Sequence, residues 1–435
     1  MELNIPTLDD IKNLTIETIG KPEFLSPLSR RTVQFITDQD KILVLPHKKD
    51  TKNLLDQNLD IPAFEMAGPS EKIFFDPTNI TCGIVTCGGL CPGLNDVIRT
   101  ITLALHWQYG VKQVLGFRYG YEGLSSNAKK EPMVLTPDTV DQIQHQGGSI
   151  LGTSRGPQDP FDMVNILEKN QVKILFVIGG DGTFKGAHQI AAVIHARNLK
   201  ISVIGIPKTI DNDIFCSERT FGFYTAVEEA RKSIYSAHNE AKAAWNGVGL
   251  VKLMGRDSGF IAAHATLANS DVNFCFIPEE PFILNGPNGF LERLEKRLDR
   301  KKHAVVVVAE GAGEHLIKDY ATGQDASGNT LHKDIGLFLK DQIVTHFKNK
   351  NIPLTLKYID PSYMIRSCPS IAPDSTFCIM LGQNAVHAGM AGKTDMFVGY
   401  WNHHFTHVPF NIAVNKRKKI DPEGELWQTV KLMTE

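Results

Sequence analysis

Two stretches of this 435-residue chain carry an apolar run straight into glycine and carboxylates. They are FVIGGDGTFKGA, Phe176 to Ala187, and GIPKTIDNDI, Gly205 to Ile214. In the first, Gly179, Gly180 and Gly182 surround Asp181. An acid beside a phosphate-type glycine loop repels phosphate unless a cation bridges them. Magnesium does so with one carboxylate, phosphate oxygens and water, which makes Asp181 the candidate metal ligand. Gly182 leaves room for something bulky next to it, and Thr183 is expected to cap the following helix. In the second stretch Asp211 and Asp213 stand two apart around Asn212. On an extended loop both can face one side, one accepting a proton from a hydroxyl and the other orienting a metal, a water or a helix terminus. An Asx-type turn is the structural alternative. Thr209 adds a hydroxyl and Lys208 a mobile cation.

Five further loops supply compatible parts. TCGGLCPGLN offers Gly88 and Gly89 for close backbone approach and then a helix N-terminus for an anion. GGSILGTSRG sets Arg155 among small residues, ready to fork onto phosphate oxygens. MGRDSGF contributes Arg256, AEGAG contributes Glu310, and YMIRSCPS contributes Tyr363 and Arg366. Each alone reads as scaffold. Together they suit transfer of a phosphoryl group from a polyphosphate to a sugar hydroxyl, which needs positioning, charge neutralisation and one base.

Something must hold these loops at one place. From Thr81 onward, buried-type strands such as KILFVIGG and HAVVVVAEG alternate with helical stretches such as FYTAVEEARKSIYSAHNEAKA. That alternation predicts parallel sheets covered on both faces, with a ligand at the carboxyl ends of the strands. The expected fold class is α/β, with two Rossmann-like doubly wound domains of mostly parallel strands plus an N-terminal extension. The expected boundaries are an extension over 1–78 that packs on the core and a nucleotide- and magnesium-binding domain over 79–215 with part of the C-terminal region. An acceptor domain is expected over 216–400 and a C-terminal segment over 401–435. Tyr320 to Leu331 reads as a surface hairpin or loop.

Composition excludes several classes. At 42% hydrophobic, 22% charged and a net charge of -2, the chain has no basic excess pointing to nucleic acid. The longest apolar runs are strand-length, short of a bilayer span, and the first residues lack a secretory apolar region. A cytoplasmic protein is expected. Seven cysteines in so long a chain argue against a disulfide framework. Cys82, Cys87 and Cys91 read as small residues packed around a turn rather than as metal ligands. His403, His404 and His407 lie in an aromatic strand-like stretch with no Cys or carboxylate nearby, and read as strand. No G-x-G-x-x-G follows the first strand, which weakens a nicotinamide oxidoreductase.

GGDGT, PKTIDND, MGRDSGF and AEG in this order resemble the phosphofructokinase family, over about Gly83 to Val408. GGSILGTSRG, VKLMGRDSGFIAAHATLA and YIDPSYMIRS are most similar to the branch with plant and trypanosomatid ATP-dependent enzymes. The resemblance implies that Asp211 is the base that deprotonates the C1 hydroxyl of fructose 6-phosphate, and that Asp181 is the magnesium ligand. It implies donor contacts at Gly88, Arg155, Gly156, Gly180, Asp181, Gly182 and Thr183, with Arg155 also meeting the transferred phosphoryl group. It implies a sugar-phosphate site of Thr209, Ile210, Asp211, Met254, Gly255, Arg256, Glu310, Tyr363, Met364, Ile365 and Arg366. A homo-oligomer, dimer or tetramer, is implied as well, because a neighbouring subunit's arginine often completes that site. Gly247 stands where compact bacterial members have that arginine.

The same resemblance makes Gly182 and Lys208 donor-specificity positions. Pyrophosphate enzymes typically carry a second aspartate at the first and lysine at the second; compact bacterial ATP enzymes have glycine at both. This chain is mixed. A side chain at 182 would collide with ATP, whereas a flexible lysine at 208 does not block the nucleoside. ATP is therefore the expected donor, pyrophosphate the alternative. A non-catalytic nucleotide-sensing subunit is disfavoured because Asp211 and Asp213 are both present, and lipid and NAD kinases with GGDGT lack the TIDND and MGR pair.

Overall fold

The structure, a computed structural model, describes residues 11, 13–317, 334–414 and 416–434. The stretch expected to form a surface hairpin at 320–331 lies outside them. Two sheets organise the chain. The larger has nine strands in the order Lys41–Leu43, Ala63–Met66, His404–Pro409, Met396–Trp401, Ser202–Pro207, Val172–Gly179, Thr81–Thr86, Gln113–Phe117, Met133–Val134. Its middle, from Met396–Trp401 to Gln113–Phe117, is parallel. The strands at both edges run antiparallel. The smaller sheet, Phe274–Phe276, His303–Ala309, Gly247–Leu253 and Thr355–Ile359, is parallel throughout.

The strand sequences account for this. Val172–Gly179 is buried at every position but Lys173, and His303–Ala309 at every position but its first histidine. Strands apolar on both faces need helices on both sides. Helix Phe223–Ala243 supplies one such cover, packing Ala226, Ala230, Ile234 and Ala237 into the core against Gly247–Leu253 and His303–Ala309. That apolar core runs on without a break to Ile174, Phe176 and Ile204 of the larger sheet.

The sheet order moves the expected boundaries. Helix Ala372–Met390 packs on Leu94–Leu103 and on strand Ser202–Pro207, and Met396–Trp401 pairs with that same strand. Strands Met396–Trp401 and His404–Pro409 are therefore part of the larger sheet and helix Ala372–Met390 packs with it, although the expected acceptor domain runs over 216–400. The first 78 residues are also more than an extension laid on the core. Their strands Lys41–Leu43 and Ala63–Met66 continue the larger sheet beyond His404–Pro409. Glu65 anchors them: it accepts from Lys393 Nζ at 2.5 Å and lies 3.4 Å from His407 Nδ1. Burial alone would raise its carboxyl, but His407 and Lys393 hold it down at about 2. Among the described residues, no helix is long and apolar enough to cross a membrane.

Candidate active site

The loops singled out above converge because their strands end at the same place. Thr81–Thr86, Val172–Gly179 and Ser202–Pro207 of the larger sheet, and Gly247–Leu253 and His303–Ala309 of the smaller, open into one cleft of about 680 Å³ between the sheets. Gly88, Arg155, Gly156, Gly180, Asp181, Gly182, Thr183, Lys208, Thr209, Ile210, Asp211, Met254, Arg256, Glu310 and Arg366 all line it. Gly255, Tyr363, Met364 and Ile365 do not. Gly255 makes a left-handed turn at φ 125°, and Ile365 is buried in the core. Tyr363 and Met364 are 75% and 71% exposed, at the start of the short helix Met364–Ser367 that carries Arg366 to the cleft.

One side of the cleft is built for anions. Gly88 adopts φ 83°, and its N–H donates to the Ser154 carbonyl at 3.0 Å, joining the two glycine loops. Buried Lys208 donates from Nζ to the Gly89 carbonyl at 2.7 Å, and burial pulls its ammonium down from the usual range. A Cβ at Gly89 would stand 3.3 Å from an Arg366 nitrogen and 3.5 Å from an Arg155 nitrogen, so both guanidiniums flank this turn. Helix Asp181–Ala196 starts here with Gly180 as its cap and no side-chain cap bond. The expected capping by Thr183 is not formed: the helix begins two residues earlier, and Thr183 sits buried within its first turn. The Thr183 N–H already donates to the Gly180 carbonyl at 2.9 Å, which leaves the N–H groups of Asp181 and Gly182 for an anion. A Cβ at Gly182 meets no atom within 4 Å, so packing does not require glycine there.

The same cleft also gathers carboxylates. In the loop after Ser202–Pro207 it is Asn212, at φ 55°, that makes the turn contacts, accepting from the Thr220 N–H at 3.0 Å. Asp211 is thereby left out of an Asx turn. Its own N–H donates to Thr209 Oγ1 at 3.1 Å, and its Oδ1 is buried with no partner. Burial, then Asp213 and Glu310, push the Asp211 carboxyl up to about 8 against the pull of Arg417 and Lys208. Burial and Asp213 likewise raise Asp181 to about 7, opposed by Arg417. Burial raises Glu310 too, against Arg256, Lys252 and Arg366.

Several lining residues escaped sequence reasoning. Asp257, Lys185, Gln189, Lys416 and Arg417 all face the cleft. Arg417 Nε donates to Asp181 Oδ2 at 2.6 Å, and its guanidinium also pairs with Asp257. The one signal was the basic run at 416–419, which by itself reads as a solvated segment. The cysteine and histidine clusters have structural surroundings. Cys82, Cys87 and Cys91 are buried free thiols, and burial pushes the Cys87 thiol up to about 12. The carboxylate that His407 lacked in its neighbourhood is Glu65, 342 positions away.

Gly247 cannot be replaced by an arginine here. A Cβ at that position would run into the Ala241 carbonyl of the helix above it. The donor set fits a hard cation shared with phosphate. Among the described residues no group of three or more His, Cys, Asp or Glu is arranged to hold a metal alone. Asp181 nevertheless offers one buried, unpartnered carboxylate oxygen beside an anion-binding helix start. Magnesium uses such a site, one carboxylate completed by substrate phosphates.

Known proteins resemble both the shape and the sequence. A solved pyrophosphate-dependent phosphofructokinase from Marinobacter aquaeolei superposes with a TM-score of 0.65 at 19% identity, covering 80% of this chain and 88% of that one, which establishes the fold. An ATP-dependent 6-phosphofructokinase of Borreliella burgdorferi is 48% identical over 426 residues, 95% of each chain. One of Trypanosoma brucei brucei is 44% identical over 436 residues, 99% of this chain and 88% of that one. The phosphofructokinase profile matches residues 81–389. Most of the chain is thus matched at identities far above those of fold likeness alone, and it belongs to the phosphofructokinase family.

Proposed function

We propose that the protein is an ATP-dependent 6-phosphofructokinase, transferring the γ-phosphoryl group of ATP to the C1 hydroxyl of fructose 6-phosphate. The observation that carries the reading is the shared cleft. The buried, unpartnered oxygen of Asp211 shares that cleft with the glycine turns and helix start that suit a polyphosphate, which supports the reading.

The roles follow from the chemistry. Asp211 takes the proton of the C1 hydroxyl as the oxygen attacks the γ-phosphorus and the bond from that phosphorus to the ADP oxygen breaks. ADP leaves, and the proton stays on the Asp211 carboxyl. Thr209 holds the Asp211 backbone in place. Arg155 and the helix start at Gly180–Thr183, through the N–H groups of Asp181 and Gly182, bind donor phosphates and meet negative charge as it spreads over the transferred group. Arg256, Glu310 and Arg366 bind the sugar phosphate and Met254 lines that end, while Gly255 and Ile365 support it from behind and Tyr363 and Met364 stand on the surface beside it. Asp181 is the residue that would hold magnesium, which when bound neutralises charge between the donor phosphates.

Pyrophosphate is the weaker donor reading. It rests on Lys208, whose ammonium is already engaged by the Gly89 carbonyl beneath the glycine turn. Gly182, where an added Cβ would meet no atom within 4 Å, favours the nucleotide. We further infer a homo-oligomer in the cytoplasm. Exposed Tyr363 and Met364 beside the acceptor end leave a surface on which a neighbouring copy can complete the sugar-phosphate site.

Incubation with γ-labelled ATP, magnesium and fructose 6-phosphate is expected to move the label into fructose 1,6-bisphosphate at C1. Label released as inorganic phosphate at the same rate with and without the sugar would contradict the reading.

A further inference from the structure

Arg417 stands between carboxylates from two different sheets. Its Nε donates to Asp181 Oδ2 at 2.6 Å, and its Nη1 pairs with Asp257 Oδ2. Asp181 opens a helix on the nine-stranded sheet, whereas Asp257 follows strand Gly247–Leu253 of the four-stranded sheet. The segment bearing Arg417 is pinned on both sides. Residue 417 forms an antiparallel bridge with Ile214, and the Lys418 N–H donates to the Asp213 carbonyl at 2.9 Å. The buried Lys418 ammonium donates to the Ser217 and Glu218 carbonyls at 2.8 and 2.9 Å, and the Ile420 N–H to Glu279 Oε1 at 2.9 Å. Arg417 therefore reaches Asp181 from a fixed backbone. It takes one oxygen of that carboxylate, while the other, Oδ1, is buried with no partner.

Carboxylates that ligate metals are usually oriented by a hydrogen-bonding partner behind them. We infer that Arg417 is a positioning residue of the donor site. It acts through Asp181, fixing Oδ2 so that Oδ1 faces a divalent cation carried on nucleotide phosphates. Asp257 holds the guanidinium from the acceptor side, so the loop that bears Arg256 also sets the angle of the metal carboxylate. A planar fork spans both acids, whereas a lysine ammonium is a point charge and holds one at a time. The inference rests on the reading of Asp181 as the magnesium ligand.

The test is equilibrium binding of a non-hydrolysable ATP analogue at increasing magnesium, alongside separate titration with fructose 6-phosphate. Arg417→Ala is expected to raise the magnesium needed for half-maximal nucleotide binding about 10- to 100-fold, the usual cost of losing such a partner. Arg417→Lys recovers part of this, and Asp257→Asn shifts the requirement the same way by less. Fructose 6-phosphate binding stays near wild type in all three. An unchanged magnesium requirement in Arg417→Ala would overturn the inference. So would a lowered one, which would make Arg417 a competitor of the cation, or an equal loss of sugar-phosphate binding, which would make it scaffold. If Arg417→Ala fails to fold, Asp257→Asn decides by the same criteria. Wild-type protein that binds no nucleotide at any magnesium concentration would overturn the functional reading itself, and the inference with it.

Discussion

Asp211→Asn is expected to lower kcat by about 10² to 10⁴, the range for loss of a general base, with fructose 6-phosphate affinity near that of the wild type. Asparagine keeps the shape and the backbone contact to Thr209 Oγ1 but cannot accept the C1 proton. A pH series separates this role from a structural one. A base works only when ionised, and burial, Asp213 and Glu310 lift the Asp211 carboxyl to about 8. Wild-type kcat/KM is therefore expected to climb with pH up to about 8, and the residual activity of Asp211→Asn to lose that upper limb while keeping the rise near 7 that ionisation of Asp181 gives. Stability moves the opposite way. A carboxyl raised in the folded state favours folding most when protonated, and that contribution is lost as pH rises through about 8. Above that pH the asparagine variant, which cannot ionise, is expected to melt at a higher temperature than the wild type. Near-normal kcat in Asp211→Asn would remove the residue from the mechanism.

Gly182→Asp is the second large effect. The position lies in the first turn of helix Asp181–Ala196, and a Cβ there meets nothing within 4 Å. An aspartate at that point should fold without a clash, and its carboxylate would face the donor phosphates. A like charge so placed costs several kcal/mol, which corresponds to about 10²-fold or more in kcat/KM for ATP. The KM for fructose 6-phosphate, bound at the far end of the cleft, is expected to change little. Equal losses for both substrates would make Gly182 a structural residue, and the argument for the nucleotide would lose its footing.

The sequence disclosed local features best. Helix Phe223–Ala243 has the bounds its residues suggested, because its apolar stripe is read within one continuous stretch. The loops with Asp181, Asp211, Arg256 and Glu310 were placed together by a single rule, that parallel strands present their carboxyl ends to a ligand. What stayed hidden depends on distant pairing. Nothing in KRKK at 416–419 indicates that Arg417 meets Asp181, 236 positions away. Strand Met396–Trp401 returns to the larger sheet after the whole smaller sheet has been built, so the change of sheet has no local mark. Residues 13–78 looked like an extension because Lys41–Leu43 and Ala63–Met66, at one end of the larger sheet, are short strands without a strand–glycine–helix unit. Thr183 looked like a cap because a hydroxyl before an apolar run usually is one. Here the glycines let the helix start at Asp181, with its first turn exposed to the cleft.

The central claim is that Gly182, and not Lys208, decides the phosphoryl donor. The direct measurement is the rate of fructose 1,6-bisphosphate formation from fructose 6-phosphate and magnesium, with ATP supplied to one reaction and pyrophosphate to a parallel one. Turnover with ATP and none above background with pyrophosphate is the expected result. Turnover with pyrophosphate alone would contradict the account, and would make the lysine beneath the glycine turn the residue that chooses.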